Sequence, residues 1–269
     1  MDNRPVLFID SGIGGIPYCR DFLKQNPQEN VCYLADRQNF PYGQRGKEEL
    51  ILILASLTEK LIKLICPKIM VLACNTASIC ALDALRQKFS EKIPFVGTVP
   101  AIKPAAKACR SGKIGILGTT RTIEDPYTRR LAEDSDAEIF GVAAPDLVEF
   151  VERRFENADD KEKAEIVKKY IAVFREKGVD TLVLGCTHFL FLLEEFRREA
   201  APWIKIFDSQ DGVTKRIEFL LDENNGALRA EENNRPQRGM LLSGKEAPDS
   251  IWKNRAQSLN FKLSGLYDE

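Results

Sequence analysis

Two short stretches of the chain place a cysteine between an apolar run and the start of a predicted helix. Cys74 lies in IMVLACNTAS and Cys186 lies in TLVLGCTHFL, each after a Val-Leu pair and one small residue. A cysteine at a helix N-terminus is favoured as a thiolate, because the helix dipole and nearby donors stabilise the negative charge. A thiol whose pKa falls from about 8.5 to about 7 is half ionised at neutral pH. The pattern therefore predicts two thiols that can act as general bases.

His188, the only histidine of the chain, stands two positions after Cys186. A cysteine paired with a histidine is also the arrangement of a nucleophile and its base in acyl transfer. Residues at positions i and i+2 of a strand end usually point in different directions, so His188 need not touch the sulfur of Cys186. Two mechanisms therefore stay open. The two thiols could act as general acid and base in proton transfer, or a single nucleophilic cysteine could catalyse acyl transfer with His188 as its base.

The turn DSGIGG, from Asp10 to Gly15, ends an apolar run and precedes a predicted helix over 16–24 with Pro17 near its start. Glycines in such a turn allow backbone N–H groups to approach an anion. The carboxylate of Asp10 would repel a phosphate and would suit an amino group. A tight turn without a ligand is the alternative. An aspartyl-phosphatase site needs a second carboxylate at position 12, which is Gly12, so this class is disfavoured.

Short runs rich in Val, Ile and Leu alternate with segments of helical periodicity along most of the chain. This alternation predicts an α/β fold of two pseudo-symmetric lobes, each with a mainly parallel sheet flanked by helices. Ligands of such sheets bind beyond the carboxyl ends of the strands. The predicted strands are 6–9, 31–34, 69–73, 95–96, 113–117, 138–142, 181–184 and 204–207, and the predicted helices include 48–65, 77–89, 161–177 and 189–199.

An internal repeat is the reason for expecting two lobes. The stretch VLFIDSGIGG is echoed by KIGILGTTRT at Lys113–Thr122, with about the same shift as between the two cysteine stretches. We therefore expect two lobes related by a pseudo-twofold axis, with one cysteine from each facing a shared cleft that holds the active site.

Composition restricts the class of protein. The chain has 269 residues, of which 44% are hydrophobic, and a net charge of −1, as in globular proteins. Basic residues are scattered, which disfavours nucleic acid as the primary ligand. No apolar stretch is long enough to span a membrane, and the first residues lack a signal-peptide pattern, so we expect a cytoplasmic protein. The cysteines are odd in number and dispersed, which predicts free thiols and no metal site. Cys19, Cys32, Cys66, Cys80 and Cys109 are expected to be buried and inert.

Four motifs in a fixed order make the sequence similar to the glutamate racemases, a cofactor-independent branch of the aspartate/glutamate racemase superfamily. They are DSGIGG, PYG at 41–43, ACNT at 73–76 and GCTH at 185–188, and the resemblance spans nearly the whole chain. It implies that Cys74 takes the α-proton of D-glutamate and Cys186 that of L-glutamate. It also implies no cofactor, no metal, a homodimer, and a supply of D-glutamate for peptidoglycan and cell shape.

The resemblance implies further site residues. Asp10 assists Cys74, and His188 assists Cys186. Glu149 in PDLVEF matches a third ionisable group on the second side, although Asp146 replaces the usual neutral residue there. The residues matched to substrate binding are Asp10, Ser11, Pro41, Tyr42, Gly43, Asn75, Thr76, Thr120, Thr122, Thr187 and His188. The first lobe would comprise residues 1–98 and 208–269, and the second lobe residues 99–207.

Two other functions compete with this prediction. Related racemases and isomerases that act on aspartate, hydantoins or maleate-like diacids also carry paired cysteines, but generally lack DSGxGG together with PYG. A non-catalytic carboxylate-binding protein is the alternative from another class, and the presence of both cysteines argues against it. In the turn TTRTIEDPYTRR, Arg121, Glu124 and Asp125 are expected to be solvated.

Overall fold

Strands and helices alternate through the computed structural model, which describes residues 1–133, 137–222, 227–231 and 233–266. The strands are β1 Val6–Asp10, β2 Val31–Ala35, β3 Ile69–Leu72, β4 Phe95–Gly97, β5 Lys113–Gly118, β6 Glu138–Ala143, β7 Thr181–Gly185, β8 Lys205–Phe207, β9 Arg238–Ser243 and β10 Lys262–Leu266. The helices are α1 Ile16–Gln25, α2 Lys47–Ile65, α3 Asn75–Phe89, α4 Ile102–Ala108, α5 Thr120–Glu124, α6 Pro126–Glu133, α7 Pro145–Arg153, α8 Asp160–Glu176, α9 Leu193–Ala200, α10 Gln210–Asp222 and α11 Ser250–Ser258. Short 3₁₀ helices cover Arg37–Asn39, Tyr42–Gln44 and Thr187–Leu192.

The chain divides into two compact units, one of Met1–Thr98 with Gln210–Glu269 and one of Val99–Ser209. The sheet of the first unit has the order β10-β9-β2-β1-β3-β4, and that of the second has the order β6-β5-β7-β8. All neighbouring strands in both sheets are parallel. The predicted α/β class with two mainly parallel sheets is confirmed.

The two sheets repeat one topology. The order β2-β1-β3-β4 in the first unit corresponds strand by strand to β6-β5-β7-β8 in the second. Cys74 follows β3 and Cys186 follows β7, so the cysteines occupy equivalent places in the two units. The internal repeat seen in the sequence therefore corresponds to two sheets with the same strand order.

The core of the first unit explains its long helix. Along the 19 residues of α2, Leu50, Leu54 and Leu61 recur at helical spacing and are buried. They belong to one apolar cluster with Leu7 and Leu72 of the sheet. Helix α2 therefore covers the sheet with one stripe of leucines, as expected of an amphipathic helix on a parallel sheet.

Three elements differ from prediction. The strands β9 and β10 were not predicted, since their sequences, RGMLLS and KLSGL, mix polar residues and glycine into the apolar pattern. The predicted helix over 189–199 is instead a 3₁₀ helix to Leu192 followed by α9. Phe189, Leu190 and Leu192 are all buried, so this segment has no solvent-facing side of the kind that an amphipathic helix shows.

Within the described ranges of the chain, no helix is long and apolar enough to cross a membrane.

Candidate functional sites

The first candidate site lies at the carboxyl ends of three adjacent strands in the first unit. Strand β1 lies between β2 and β3, and the backbone N–H of Ala73 donates to the carbonyl of Ile9 over 2.8 Å. The N–H of Asp36 donates to the carbonyl of Asp10, also over 2.8 Å. These pairings bring Asp10, Asp36 and Cys74 to one edge of the sheet, where parallel α/β sheets bind their ligands.

Asp10 is fully buried, and its carboxylate is held by its own turn. Oδ1 accepts a hydrogen bond from the Gly12 N–H at 3.0 Å and one from the Ser11 hydroxyl at 3.4 Å. The Gly12 N–H that was expected to approach an anionic ligand is therefore used to orient Asp10. Gly15 has a packing role, because a Cβ atom there would lie 2.7 Å from the Cβ atom of Ala73.

Cys74 is the N-cap residue of α3 and is 8% exposed. The first turn of this 15-residue helix follows it with Asn75 and Thr76, both buried. In the described part of the chain, neither the amide nitrogen nor the amide oxygen of the Asn75 side chain has a hydrogen-bond partner. Buried polar groups are nearly always paired, so the unpaired amide of the residue after Cys74 makes Asn75 a candidate ligand-binding residue.

The PYG motif forms a 3₁₀ turn at the same site. Tyr42 is buried, whereas Pro41 and Gly43 are half-buried. The Tyr42 hydroxyl donates to Oδ2 of Asp36 over 2.7 Å. Burial raises the pKa of this hydroxyl well above its usual value, and the negative charges of Asp36, Cys74 and Asp10 raise it further. The hydroxyl therefore stays protonated and donates to Asp36.

The second candidate site lies at the carboxyl end of β7 in the second unit. Nδ1 of His188 lies 3.7 Å from the sulfur of Cys186, so the two side chains do touch. The reason is the 3₁₀ turn that begins at Thr187, which curls the backbone and brings residue i+2 back toward residue i. Cys186, Thr187 and His188 are all buried.

On the other side of the imidazole ring, Nε2 of His188 lies 2.7 Å from Oε1 of Glu152. Burial opposes a charge on His188, but the hydrogen bonds to Cys186 and Glu152 outweigh it and raise the histidine pKa well above its usual value. A protonated imidazole beside a thiol stabilises the thiolate, as in cysteine sites that work by acid–base chemistry.

The structure does not bring Glu149 to His188. The Glu149 side chain is 65% exposed and lies 3.5 Å from Arg153, which is one turn further along α7. The buried face of this helix carries Leu147 and Val151, and helical spacing puts Glu149 on the opposite side. Glu152, the partner that His188 has, was missed from the sequence, although it lies only one turn beyond Glu149 on the same helix.

The predicted threonines divide into a buried and an exposed set. Thr122 is buried, and its hydroxyl lies 3.0 Å from that of Thr119, the N-cap residue of α5. A Cβ atom on Gly185, the last residue of β7, would lie 3.6 Å from the Thr122 methyl group, so Thr122 packs against the carboxyl end of β7. Thr120 is exposed.

The expected solvation of the same turn is wrong at one position. Asp125 is buried, and its Oδ1 accepts a hydrogen bond from the Tyr127 N–H at 2.9 Å. Asp125 therefore joins α5 to α6 by capping the second helix. Arg121 is half-buried, and Glu124 is exposed as expected.

All seven cysteines are free thiols. Cys19, Cys32 and Cys80 are buried, and burial raises the pKa of Cys32 to about 12. The expectation of burial is wrong for Cys66, which is exposed where it ends α2 in a left-handed conformation, and Cys109 is half-buried. Across the described ranges, no cluster of three or more His, Cys, Asp or Glu side chains is arranged to hold a metal ion.

Fold and sites together define a two-unit α/β protein with a cysteine after a central strand of each sheet. The profile of the Asp/Glu/Hydantoin racemases matches residues 19–215. The chain is 41% identical to the glutamate racemase of Shewanella piezotolerans, over 82% of this chain and 81% of that relative. It is 39% identical to the glutamate racemase of Roseiflexus sp., over 84% and 82% of the two chains. The chain belongs to the Asp/Glu/Hydantoin racemase family.

Solved structures agree with this assignment. The glutamate racemase of Escherichia coli, in complex with L-glutamate and the activator UDP-MurNAc-ala, matches with a TM-score of 0.84 and 27% identity over 97% of both chains. A glutamate racemase isoform from Bacillus anthracis matches with a TM-score of 0.80 and 28% identity, over 100% of this chain and 98% of that one.

Proposed function

We propose that this protein interconverts L-glutamate and D-glutamate without a cofactor, and that Cys74 and Cys186 are its two bases. The observation that carries the proposal is their equivalent position: each thiol begins a helix after the corresponding strand of a repeated topology. The family of the chain supports the same chemistry. The two units would be the two domains, 1–98 with 208–269 and 99–207, and would act on one substrate carbon.

In the proposed reaction, one thiolate takes the α-proton of glutamate, so that the C–H bond breaks and an S–H bond forms. The opposite thiol then gives its own proton to the other face of the carbanion, and the enzyme ends with its thiol and thiolate exchanged. Cys186 would remove the proton from L-glutamate and Cys74 from D-glutamate. The contact of His188 with Cys186 places a second titratable group directly beside the thiol on that side.

Substrate binding would use the polar groups around each thiol. On the first side, the unpaired amide of Asn75 can both donate to a carboxylate and accept from an ammonium group. The fully buried carboxylate of Asp10 would bind the ammonium group of the substrate, in addition to assisting Cys74. The other residues proposed to bind substrate are Ser11, Pro41, Tyr42, Gly43, Thr76, Thr120, Thr122, Thr187 and His188, of which Thr120 is the exposed one.

The catalytic role of Glu149 stays a prediction, and the solvent exposure of its side chain argues against that role. The contact of Glu152 with His188 instead supports Glu152 as the third ionisable group on the second side.

The test is incubation of the purified protein with either enantiomer of glutamate in deuterated water, without pyridoxal phosphate. Optical rotation and α-deuterium uptake are followed together. Loss of rotation with incorporation of one deuterium per turnover is the expected result. Racemisation of aspartate but not glutamate would assign the protein to a related activity of the family, and inertness toward every amino acid would favour a carboxylate-binding protein without catalysis.

We further propose that the D-glutamate formed enters peptidoglycan and so maintains cell shape, and that the protein is a cytoplasmic homodimer. Growth of a bacterial strain that requires D-glutamate, when it expresses this chain, tests the first statement. Light scattering coupled to size-exclusion chromatography tests the second, and a mass near the 30.4 kDa of the single chain would contradict it.

A further inference from the structure

Asp36 is a buried carboxylate with a full set of donors at the first candidate site. It is 1% exposed. Its oxygens accept hydrogen bonds from the Tyr42 hydroxyl at 2.7 Å, the Ser243 hydroxyl at 2.6 Å and the Asn39 amide at 2.9 and 3.1 Å. A buried carboxylate is costly unless its oxygens are hydrogen-bonded, and bonds to a charged acceptor are the strong ones. Asp36 therefore fixes the groups that donate to it.

Tyr42 is the donor that connects Asp36 to the chemistry. Its ring lies in the same buried cluster as Cys74. The 3₁₀ turn Tyr42–Gln44 packs against α3, the helix that begins after Cys74. Burial and the negative charge of Asp36 raise the pKa of the Tyr42 hydroxyl well above its usual value. Because the hydroxyl remains protonated, it donates to Asp36, and this bond sets the position of the PYG turn beside the thiol.

Ser243 holds the other oxygen of Asp36 from a distant part of the chain. It ends β9, which pairs with β2, and is 4% exposed. Its hydroxyl donates to Oδ1 of Asp36 and accepts from the Gln38 N–H at 3.0 Å. At Gly244 the chain then turns away with a φ angle of +88°, in the left-handed region that favours glycine. Ser243, at the end of β9, therefore fixes the loop that leads into the PYG turn, and its contacts with Asp36 and Gln38 are called the clamp below.

We infer that Asp36 and Ser243 are positioning residues for substrate binding: together they hold Tyr42 and the PYG turn against Cys74, although neither touches the substrate. This inference rests on the proposed racemisation of glutamate. It makes Ser243, which ends β9 and is separated from Asp36 by 207 positions, part of the first site.

The test uses three variants in the full chain. Ser243→Ala removes the clamp, Ser243→Thr keeps a hydroxyl there, and Thr214→Val is the matched control. The buried Thr214 hydroxyl also donates to a carboxylate, that of the half-buried Asp21 at 2.7 Å, but between α10 and α1. We expect Ser243→Ala to raise KM for both enantiomers about tenfold, the equivalent of one strong hydrogen bond, with kcat within about twofold. Ser243→Thr should recover most of this loss, and Thr214→Val should leave KM unchanged.

A second measurement does not depend on glutamate. The rate at which iodoacetamide alkylates Cys74, read by peptide mass spectrometry, should rise several-fold in Ser243→Ala and not in Thr214→Val, because a displaced Tyr42 uncovers the thiol. If the wild-type protein is inactive on glutamate, the proposed function fails, and alkylation still reports on the clamp. A wild-type alkylation rate in Ser243→Ala, or an equal KM change in Thr214→Val, would overturn the positioning role.

Discussion

The Nε2 atom of His188 lies 2.7 Å from a carboxylate oxygen of Glu152, and Nδ1 of the same ring lies 3.7 Å from the sulfur of Cys186. The single histidine of the chain is therefore placed between a carboxylate and a thiol, with its Glu152 partner only 12% exposed. Burial alone would lower the histidine pKa, yet the two contacts raise it. The imidazole is set to carry a positive charge at neutral pH and to lose it only as the pH rises through that raised pKa.

Glu152→Gln should weaken this charge. The variant replaces the negative charge of Glu152, one of the two contacts that raise the His188 pKa, with a neutral amide. The pKa of His188 therefore falls, because burial still disfavours the charged imidazole. We expect kcat to fall on the order of 10²-fold at neutral pH, within the usual range for acid–base catalysis. The basic limb of the pH–rate profile should move to lower pH, because the imidazolium is now lost earlier. The measurement is racemisation of L-glutamate across the pH range.

Glu149→Gln is the control for that variant, since both residues are glutamates on α7. Glu149 is solvent-exposed and forms an ion pair with Arg153. Its replacement should leave kcat and the pH profile as in the wild-type protein. A larger loss in Glu149→Gln than in Glu152→Gln would instead support the role that the family resemblance gave to Glu149.

Cys74→Ser and Cys186→Ser should each reduce kcat/KM for racemisation by about 10²- to 10⁴-fold, because a serine hydroxyl is a far weaker base than a thiolate. Cys80→Ser is the control, since Cys80 is a buried cysteine on the same helix as Asn75 and lies away from the helix start. Turnover is followed by circular dichroism with each enantiomer. Near-normal activity in either of the first two variants would rule out a mechanism with two thiol bases.

His188→Asn tests whether the histidine makes the two thiols unequal. The two enantiomers have equal free energies, so the equilibrium constant is 1 and kcat/KM must change equally in both directions. An unequal role of the two thiols therefore has to be measured by another quantity, the isotope effect. Removal of the charge beside Cys186 should make proton transfer to this sulfur slower. We therefore expect the primary isotope effect on kcat/KM to increase more with α-deuterated L-glutamate than with α-deuterated D-glutamate. Equal increases would contradict an asymmetric role.

Much of the fold could be predicted because its central strands are buried on both faces. Strands β1, β3 and β7 are fully buried and read as continuous apolar runs, so their ends and the residues that follow could be placed from sequence. Strand β9, RGMLLS, is only partly buried, and its three apolar residues are flanked by Arg238, Gly239 and Ser243, so the apolar run is too short to mark a strand. The positions of Asp10, Cys74 and Cys186 follow from the predictable strands.

The remaining site contacts depend on packing between distant segments. The bond between His188 and Glu152 spans 36 positions, and it requires α7 to lie against the 3₁₀ helix after Cys186. Sequence periodicity could place Glu149 on the exposed face of α7, but it could not choose which neighbour would reach the histidine. The clamp between Asp36 and Ser243 spans 207 positions and depends on a strand that the sequence pattern does not mark.

Lys68 and Glu29 form a buried ion pair away from the strand ends that carry the first site. Nζ of Lys68 lies 2.6 Å from Oε2 of Glu29, and both side chains are 0% exposed. The same ammonium group donates to the carbonyls of Asp2 and Leu228, each over 2.8 Å. The pair therefore connects the first residues of the chain to a segment near its end.

Lys68→Met should destabilise the protein strongly, because it leaves the carboxylate of Glu29 buried without its positive partner. Removing one member of a buried pair costs about 3–5 kcal/mol of unfolding free energy, measured here by urea denaturation. Lys63→Met is the control: its pair with Glu59 has side chains 75% and 54% exposed, and its loss should cost about 0–1 kcal/mol. The double variant Lys68→Met with Glu29→Leu should recover part of the loss, since no charge then remains buried. If Lys68→Met cost no more than Lys63→Met, the pair would not hold the two chain segments together, and its complete burial would have no energetic consequence.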